Sequence, residues 1–312
     1  MPPRSPLPQR HGLDASWVRT PDRDPDAAAP WATLGEFLVE RLAPDAGVAD
    51  LLARGAFVDA SGRPLSGAEP FRPHTFVWFH RPPAPEPSVP FPVIVLHADD
   101  RVVVVDKPHF LATTPRGVHA RETVLARLRE TLALPDLAPA HRLDRLTAGV
   151  LLLTTAPRHR AAYAGLFQDR AVTKVYEALA PLDPSLTFPL RVRSRIVKER
   201  GRLQAREVAG EPNAETLIEL VEARGEWGRY LLAPTTGKTH QLRLHLSGLG
   251  LPIVGDPLYP RVLDVARDDF TAPLQLVARR LSFVDPVDGT PRDFTSRLPL
   301  RWPAAALTGW PA

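Results

Sequence analysis

The sequence predicts an α+β fold. The aliphatic run at residues 150–153 is typical of a buried strand. Apolar and polar residues alternate over residues 172–179, as in a strand with one buried face. Elsewhere, for example over residues 34–42, apolar residues recur at helical spacing. A strand-rich pattern with interspersed helices indicates an α+β architecture.

Composition and charge narrow the possible functions. The chain has 312 residues, 44% of them hydrophobic and 24% charged, as in an ordinary globular protein. It has neither an apolar run long enough to cross a membrane nor the apolar core of a secretory signal, so we expect a cytoplasmic protein without a membrane partner. The absence of cysteine excludes disulfides and thiolate chemistry. A pI of about 9.7 favours a polyanionic partner.

Four segments are expected along the chain. Residues 1–30 contain seven prolines and few apolar residues, which predicts a disordered or extended leader. Residues 31–81 hold two short helical patterns, then a glycine and a short strand. The proline-rich residues 82–92 predict a stiff linker. Residues 93–303 then form the larger domain.

The larger domain is predicted to begin with two short strands. Residues 93–96 and 102–105 are strand-like and flank an acidic turn. The tripeptide Asp106-Lys107-Pro108 follows directly. Apolar residues at helical spacing over residues 124–132 then predict a helix.

Charge is concentrated just before the buried strand. Asp144 lies between Arg142 and Arg145, a few residues ahead of the aliphatic run. The flanking guanidinium groups favour the ionised carboxylate, which makes Asp144 a candidate nucleophile or base rather than an acid. A salt bridge in a surface loop would give the same pattern, and the residue types alone leave both interpretations open.

Basic residues alternate further along the chain. Arg191, Arg193 and Arg195 recur with a period of two, which places them on one face of a strand, and more basic residues surround Gly201. We interpret the segment as a hairpin with a basic face suited to backbone phosphates. A solvated edge hairpin that its charges keep from aggregating is the alternative.

The segment at residues 235–246 contains two patterns that suggest a nucleotide-binding loop and a metal site. The spacing of the residues excludes both. Gly-Lys-Thr at residues 237–239 would need a glycine at position 232 to form a nucleotide-binding loop, and that position is leucine. No nucleotide cofactor is therefore expected. His240 and His245 are five residues apart and have no accompanying carboxylate, so no metal site is expected either.

Four boxes along the chain together resemble one family, the RluA family of RNA pseudouridine synthases. In family order they are the HRLD box at residues 141–144 with the strand that follows, the Lys-x-Tyr pair at 174–176, the GKTHQLRLH run at 237–245 and the PIVGDPLY run at 252–259. Family members usually have serine at the position of Ala148. Residues 31–81 are similar to the alpha-L RNA-binding module of many relatives, although Arg54 is the one basic residue of the second helix.

The resemblance implies a fold and a reaction. The expected fold is a mixed, mainly antiparallel sheet flanked by helices, with a catalytic cleft across its middle. The expected reaction is the isomerisation of specific uridines in ribosomal or transfer RNA to pseudouridine. This reaction involves no redox change, so no cofactor is expected. The protein is expected to act as a monomer with RNA as its partner.

The resemblance also assigns roles to residues. Asp144 maps onto the catalytic aspartate, Tyr176 onto the tyrosine that lies against the target uracil, and Arg243 onto the arginine that pairs with the aspartate. Arg142 maps onto the arginine that fills the space vacated by the target base. Further contacts with substrate or RNA are expected from other polar residues of the boxes and of the basic hairpin: His141, Arg145, Thr147, Lys174, Lys238, His240, Gln241, Arg191, Arg193 and Arg195.

Two other classes of function stay open at this level. One is a catalytically silent RNA-binding protein of the same fold, against which the presence of Asp144, Tyr176 and Arg243 argues. The other is a hydrolase that acts on a nucleoside or glycoside through a carboxylate. A glycosidase would need a second carboxylate across the scissile bond, and no second acidic residue stands out in a box.

Overall fold

The computed structural model describes residues 3–22, 30–82 and 85–303. Within these ranges, no helix combines the length and the apolar character that crossing a membrane requires.

The chain divides into two compact units. The N-terminal unit consists of residues 1–86 together with residues 129–135, and the larger unit consists of residues 87–128 and 136–312. The first change from one unit to the other therefore falls inside the proline-rich segment of residues 82–92.

The N-terminal unit is a small α+β module. It contains strand β1 (Ser16–Arg19), helix α1 (Leu34–Arg41), a 3-10 turn (Pro44–Ala46), helix α2 (Val48–Ala53) and strand β2 (Phe76–Phe79). The two strands pair antiparallel. The apolar faces of the helices and of β2 meet in one core, because apolar residues recur at helical spacing in α1 and α2.

One part of the predicted leader differs from the expectation for residues 1–30. Ser16–Arg19 form β1, with Ser16 opposite Phe79 and Arg19 opposite Phe76, and Val18 is buried. The partner strand lies far away in the sequence, so the local composition of the leader does not indicate the pairing. Residues 23–29 of the same predicted leader lie outside the described residues.

The larger unit is built on a mixed, mainly antiparallel sheet, as predicted, and its described residues contribute eleven strands. In chain order, the strands are β3 (Ile94–Ala98), β4 (Val102–Lys107), β5 (Ala138–Pro139), β6 (Ala148–Thr154), β7 (Val172–Pro181), β8 (Leu190–Val197), β9 (Arg206–Val208), β10 (Ala214–Arg224), β11 (Trp227–Pro234), β12 (Leu276–Val284) and β13 (Pro291–Thr295). Across the sheet the order is β3-β4-β6-β12-β7-β11-β10-β8-β9, with β13 paired to β12 and β5 paired to β6. Strands β6 and β12 pair in parallel.

In the part of the chain that the structure describes, the sheet is accompanied by helices α3 (Val124–Thr131), α4 (Pro157–Gln168) and α5 (Gln241–Gly248). Helix α3 agrees with the helical pattern of residues 124–132. Helix α5 does not follow from the sequence pattern, because Leu242, Leu244 and Leu246 alternate with polar residues in the manner of a strand.

Strand β6 lies inside the sheet between β4 and β12, and all seven of its residues are buried. Gly149 has a φ of +115°, and a Cβ atom at this position would lie 2.3 Å from the carbonyl oxygen of Ala278 in β12. Glycine is therefore needed for the close parallel pairing of the two strands. This pairing fixes the start of β6, and with it the position of the polar segment that precedes the strand.

Candidate active site

A large cleft crosses the larger unit where the segment before β6 meets the start of α5. Its volume is about 940 Å³. Asp144 is the one carboxylate among the described residues that line it, and the other charged lining residues are cationic. These cations are Arg116, Arg142, Arg145, Arg170, Lys174, Lys198, Arg202, Lys238 and Arg243, together with histidines that can also carry positive charge. The cleft is therefore suited to a polyanion that brings a reacting group to one carboxylate.

Asp144 lies in a tight turn at the entrance to β6. Its carbonyl oxygen accepts a hydrogen bond from the N–H of Thr147 at 3.1 Å. Its side chain is 34% exposed, and Oδ2 lies 4.0 Å from Nη1 of Arg243 and 4.0 Å from Nε2 of His240. Both distances exceed hydrogen-bonding length, so neither neighbour forms a direct hydrogen bond with the Asp144 carboxylate, which stays available to a substrate group.

Arg243 is held mainly by Asp256, and its contact with Asp144 is the longer of the two ion pairs. Nε and Nη2 of Arg243 donate to the two carboxylate oxygens of Asp256 at 2.7 and 2.5 Å, and both side chains are almost fully buried. Burial alone would lower the pKa of Arg243, but the hydrogen bonds and charge of Asp256, together with the charge of Asp144, raise it. Arg243 is thus a fixed cation that presents Nη1 to Asp144.

Asp256 was not identified as a site residue from the sequence. It lies in the PIVGDPLY run, and its Oδ1 also accepts hydrogen bonds from the backbone N–H groups of Leu258 at 2.8 Å and Tyr259 at 3.2 Å. An aspartate inside an otherwise apolar run is the signal that could have identified it, because a buried carboxylate needs a cationic partner.

Tyr176 lies on β7 and lines the cleft. Its side chain is half-buried. Burial, and to a lesser extent the negative charge of Asp144, raises the pKa of Tyr176 above its ordinary value of 10.0. The phenol therefore stays protonated near neutral pH and offers an aromatic face and an O–H donor rather than a base.

Lys107 is a second residue of the site that the sequence did not identify, although it lies in the Asp-Lys-Pro tripeptide. Its side chain is fully buried, and Nζ donates to the carbonyl oxygens of Pro108 at 2.9 Å, Leu111 at 2.7 Å and Arg145 at 3.2 Å. Burial lowers the pKa of Lys107 to about 7, while the charge of Asp144 raises it and that of Arg145 lowers it. Lys107 ties the end of β4 to the turn that holds Asp144.

Two predicted contact residues have structural partners of their own. Nε2 of His141 accepts a hydrogen bond from the N–H of Leu152 at 3.2 Å, and its ring stacks on Phe167. Burial, assisted by the charge of Lys174, lowers the pKa of His141 to about 3. Gln241 is buried, and its side chain joins the loop before α5 to β10 through hydrogen bonds with Glu215, Thr216, Thr236 and Lys238.

The remaining predicted residues of the boxes also line the cleft. Arg142 and Lys238 are exposed there, whereas Thr147 is buried. Lys174 donates to the carbonyl oxygen of Thr236 at 3.0 Å, and burial, assisted by the charge of Arg170, lowers its pKa. Burial and the charge of Arg243 lower the pKa of the Arg145 guanidinium.

The three alternating arginines lie apart from these residues. Arg191, Arg193 and Arg195 are exposed on one face of β8, as the period of two predicts, and β8 and β9 form a hairpin. They do not belong to the lining of the cleft. Arg191 and Arg193 both form ion pairs with Glu215, a partner on β10 that the local pattern could not indicate. Lys198 and Arg202, near the tip of the hairpin, line the cleft instead.

Comparison with known proteins agrees with this geometry. A family model described as RNA pseudouridylate synthase matches residues 101–248, a range that includes Asp144, Tyr176 and Arg243. The dual-specificity RNA pseudouridine synthase RluA of Vibrio cholerae is 31% identical over 204 residues, which are 62% of this chain and 77% of the relative. The chain belongs to the RluA family of RNA pseudouridine synthases. It is accordingly an isomerase that acts on RNA.

Two further relatives are also named as pseudouridine synthases. The mitochondrial tRNA pseudouridine(32) synthase of Saccharomyces cerevisiae is 30% identical over 172 residues, covering 54% of this chain and 37% of the longer yeast protein. The structure of human RNA pseudouridylate synthase domain containing 4 is 27% identical with a TM-score of 0.51, covering 66% of this chain and 88% of that one. The sheet and cleft of the larger unit are thus those of an RluA-family pseudouridine synthase.

Proposed function

We propose that this enzyme converts uridines of ribosomal or transfer RNA to pseudouridine in the cleft of the larger unit, with Asp144 as the catalytic carboxylate. One observation carries the proposal. Among the described residues that line the cationic cleft, Asp144 is the single carboxylate, and it lies 4.0 Å from the buried cation of Arg243. The names of relatives, one of them a tRNA synthase and another of dual specificity, support the two classes of RNA.

The reaction explains why one ionised carboxylate suffices. The bond between N1 of uracil and C1′ of ribose breaks, the base turns, and C5 forms a new bond to C1′. Atoms are rearranged within one nucleotide without oxidation or reduction, so the chemistry requires no redox cofactor. Asp144 can act by attack on the base, by attack on the sugar or by stabilising a cationic or glycal-like sugar, and all three modes need it ionised.

The neighbours of Asp144 supply a fixed positive charge and a wall for the freed uracil. Arg243 is fixed by Asp256, so it presents a positive charge to Asp144 at 4.0 Å without closing off the carboxylate. Tyr176 supplies an aromatic wall against which the uracil can turn without leaving the cleft.

RNA binding follows from the charge of the cleft rim. Lys198, Arg202, Lys238 and Arg142 are exposed at the cleft and can contact phosphates. The target base must leave its stack, which costs about a few kcal/mol. The exposed guanidinium of Arg142 is suited to fill the vacated space and offset part of that cost.

We propose a smaller role for the N-terminal unit. Residues 31–81 have the helical pattern of an alpha-L module, yet residues 1–86 contain nine arginines and eleven acidic residues, with no lysine. The excess of acidic residues disfavours phosphate binding, so we propose that residues 31–81 are a degenerate alpha-L module that contributes little to RNA binding. We propose that the enzyme acts as a monomer, in the cytoplasm where both classes of RNA are found.

The first test replaces the carboxylate. Asp144→Asn keeps the shape of the side chain and removes its charge, so we expect release of tritium from RNA labelled at uracil C5 to fall by at least about 10⁴-fold, while RNA affinity and melting temperature change little. Asp100→Asn, the same change at an exposed turn, is the matched control and should retain wild-type activity. Appreciable turnover by purified Asp144→Asn would refute the assignment. A wild-type protein that binds RNA without turnover would instead be a silent binding protein.

A further inference from the structure

His240 lies beside Asp144, and no catalytic role has been assigned to it so far. It precedes helix α5 and has a left-handed backbone, with a φ of +59°. Residues other than glycine rarely adopt this conformation because it crowds the Cβ atom, so surrounding contacts must hold it. Its side chain is 11% exposed, and its ring packs edge-on against Tyr259.

The hydrogen bonds of Tyr259 determine which ring nitrogen of His240 carries a proton. The hydroxyl oxygen of Tyr259 lies 2.9 Å from the carbonyl oxygen of Ala205, 2.8 Å from the N–H of Ala205 and 2.9 Å from Nδ1 of His240. A carbonyl can only accept, so the single hydroxyl proton goes to Ala205. The hydroxyl must then accept from Nδ1, which places the proton on Nδ1 and leaves Nε2 with a lone pair.

That lone pair belongs to the atom that lies nearest Asp144. Nε2 is 4.0 Å from Oδ2 of Asp144. Two acceptors at this separation do not bond to each other, but one substrate atom between them can lie about 3 Å from both. The reacting atoms that Asp144 contacts are therefore within reach of Nε2.

The surroundings of His240 keep its ring neutral. Burial lowers the pKa of His240, and the positive charges of Arg243 and Lys198 lower it further. The negative charges of Asp144 and Asp256 oppose them, but the pKa stays below its ordinary value. A neutral imidazole near neutral pH can accept a proton, and the adjacent carboxylate of Asp144 stabilises the imidazolium that forms.

Among the described residues, Tyr176, Lys107 and His141 do not offer a comparable lone pair to Asp144. The phenol of Tyr176 is held protonated, because burial raises its pKa. Lys107 is enclosed by three carbonyl oxygens and does not line the cleft. Nε2 of His141 is already occupied by the N–H of Leu152.

We propose that Nε2 of His240 is the general base that removes the proton from C5 of the target uracil. The inference rests on the function proposed above and identifies a second catalytic residue of the same site. Once C5 is bonded to C1′, the C5–H bond breaks and its electron pair restores the C5–C6 double bond. The proton moves to Nε2, N1 of the base gains a proton from water, and the imidazolium later releases its proton to solvent.

The position of His240 fits this step better than the earlier ones. C5 is bonded directly to C1′ when it loses its proton. The carboxylate of Asp144 acts on the sugar or on the uracil, so a proton acceptor next to this carboxylate is close enough to reach C5. The hydroxyl of Tyr259 orients the ring by holding Nδ1, and the left-handed backbone directs Nε2 into the cleft. Tyr259 is thus a positioning residue for the proton transfer.

The test uses a variant that the backbone tolerates. Glycine readily adopts the φ of His240, so His240→Gly removes the imidazole without adding strain. We expect kcat to fall by about 10²- to 10⁴-fold, as for the loss of a general base. RNA deuterated at uracil C5 should then react more slowly than unlabelled RNA, because proton removal has become rate-limiting. Added imidazole should restore turnover, with a rate that rises with pH as the imidazole becomes neutral.

Two further variants separate catalysis from folding. His240→Asn also tolerates the left-handed backbone and should show the same loss and isotope effect. Tyr259→Phe keeps the ring and loses the hydroxyl, so kcat should fall to an intermediate value with little change in KM. Release of C5 tritium by wild-type enzyme and its loss in Asp144→Asn establish the proposed function independently. Less than a tenfold loss in both His240 variants, or a loss without an isotope effect, would overturn the role of His240.

Discussion

Arg243 is the residue whose neighbours most constrain the site. It donates two hydrogen bonds to Asp256, while Nη1 approaches Asp144 at 4.0 Å. The side chain of Asp256 is 1% exposed and that of Asp144 is 34% exposed. The stability that Arg243 provides should therefore depend on Asp256, and its effect on reactivity should depend on Asp144.

A set of double mutants tests this division. Arg243→Leu leaves the buried carboxylate of Asp256 without its cation, so we expect the free energy of unfolding to fall by roughly 3–5 kcal/mol and activity to be lost. Adding Asp256→Leu removes the stranded charge and should recover most of the stability without activity. Adding Asp144→Asn should recover little, because Asp144 remains in contact with solvent. Urea denaturation measures all three, and equal recovery by the two second mutations would contradict the division.

At the residue scale, the sequence predicts the identity of the central site residues better than their partners. Asp144, Tyr176 and Arg243 come from separate boxes, and the fold brings them to one cleft. Asp256 and Lys107 were missed as site residues although both lie in recognised segments. Their importance comes from burial and from the groups that surround them in the folded protein, which the apolar and polar pattern of the sequence does not record.

At the scale of elements, the hairpin of β8 and β9 presents two sets of basic residues. Arg191 and Arg193 lie on the strand and pair with Glu215, whereas Lys198 lies near the tip and lines the cleft. Lys238, from the loop before α5, lines the cleft as well. The phosphate contacts predicted for the strand arginines should therefore come mainly from the tip of the hairpin and from the loop before α5.

Salt dependence of RNA binding distinguishes the two sets. Each lost phosphate contact reduces the slope of log affinity against log salt concentration by about 0.7–0.9. We expect Lys198→Gln combined with Lys238→Gln to flatten the slope by the amount that corresponds to the loss of one or two phosphate contacts. Arg191→Gln combined with Arg193→Gln removes the same charge and is the matched control, with little expected change. If only the Arg191→Gln and Arg193→Gln pair flattened the slope, the phosphate contacts would be made by the arginines of β8 instead.

The elements themselves were predicted where apolar spacing is strong. The helical pattern of residues 124–132 corresponds to α3, and the aliphatic run of residues 150–153 lies within β6. Helix α5 was not predicted, because its leucines alternate and its backbone begins from the unusual left-handed residue His240. Strand β1 was missed because its partner β2 is distant in the sequence.

At the scale of the whole molecule, charge is divided between the two parts of the sequence. The first 86 residues have a net charge of −2 and the rest of the chain, which holds the cleft, has +6, for a total of +4. The sheet of the larger unit brings boxes separated by about a hundred residues to one carboxylate. The function that we propose for the molecule therefore depends on one residue, Asp144, and on its action on uridines in RNA.

Mapping of pseudouridines in cellular RNA tests this central claim most directly. Ribosomal and transfer RNA would be compared between a strain with this gene, a strain without it, and the second strain complemented with either the wild-type gene or the Asp144→Asn allele. We expect specific pseudouridines to disappear without the gene, to return with the wild-type copy and to remain absent with Asp144→Asn. Restoration of those sites by the Asp144→Asn allele, or an unchanged map without the gene, would contradict the account.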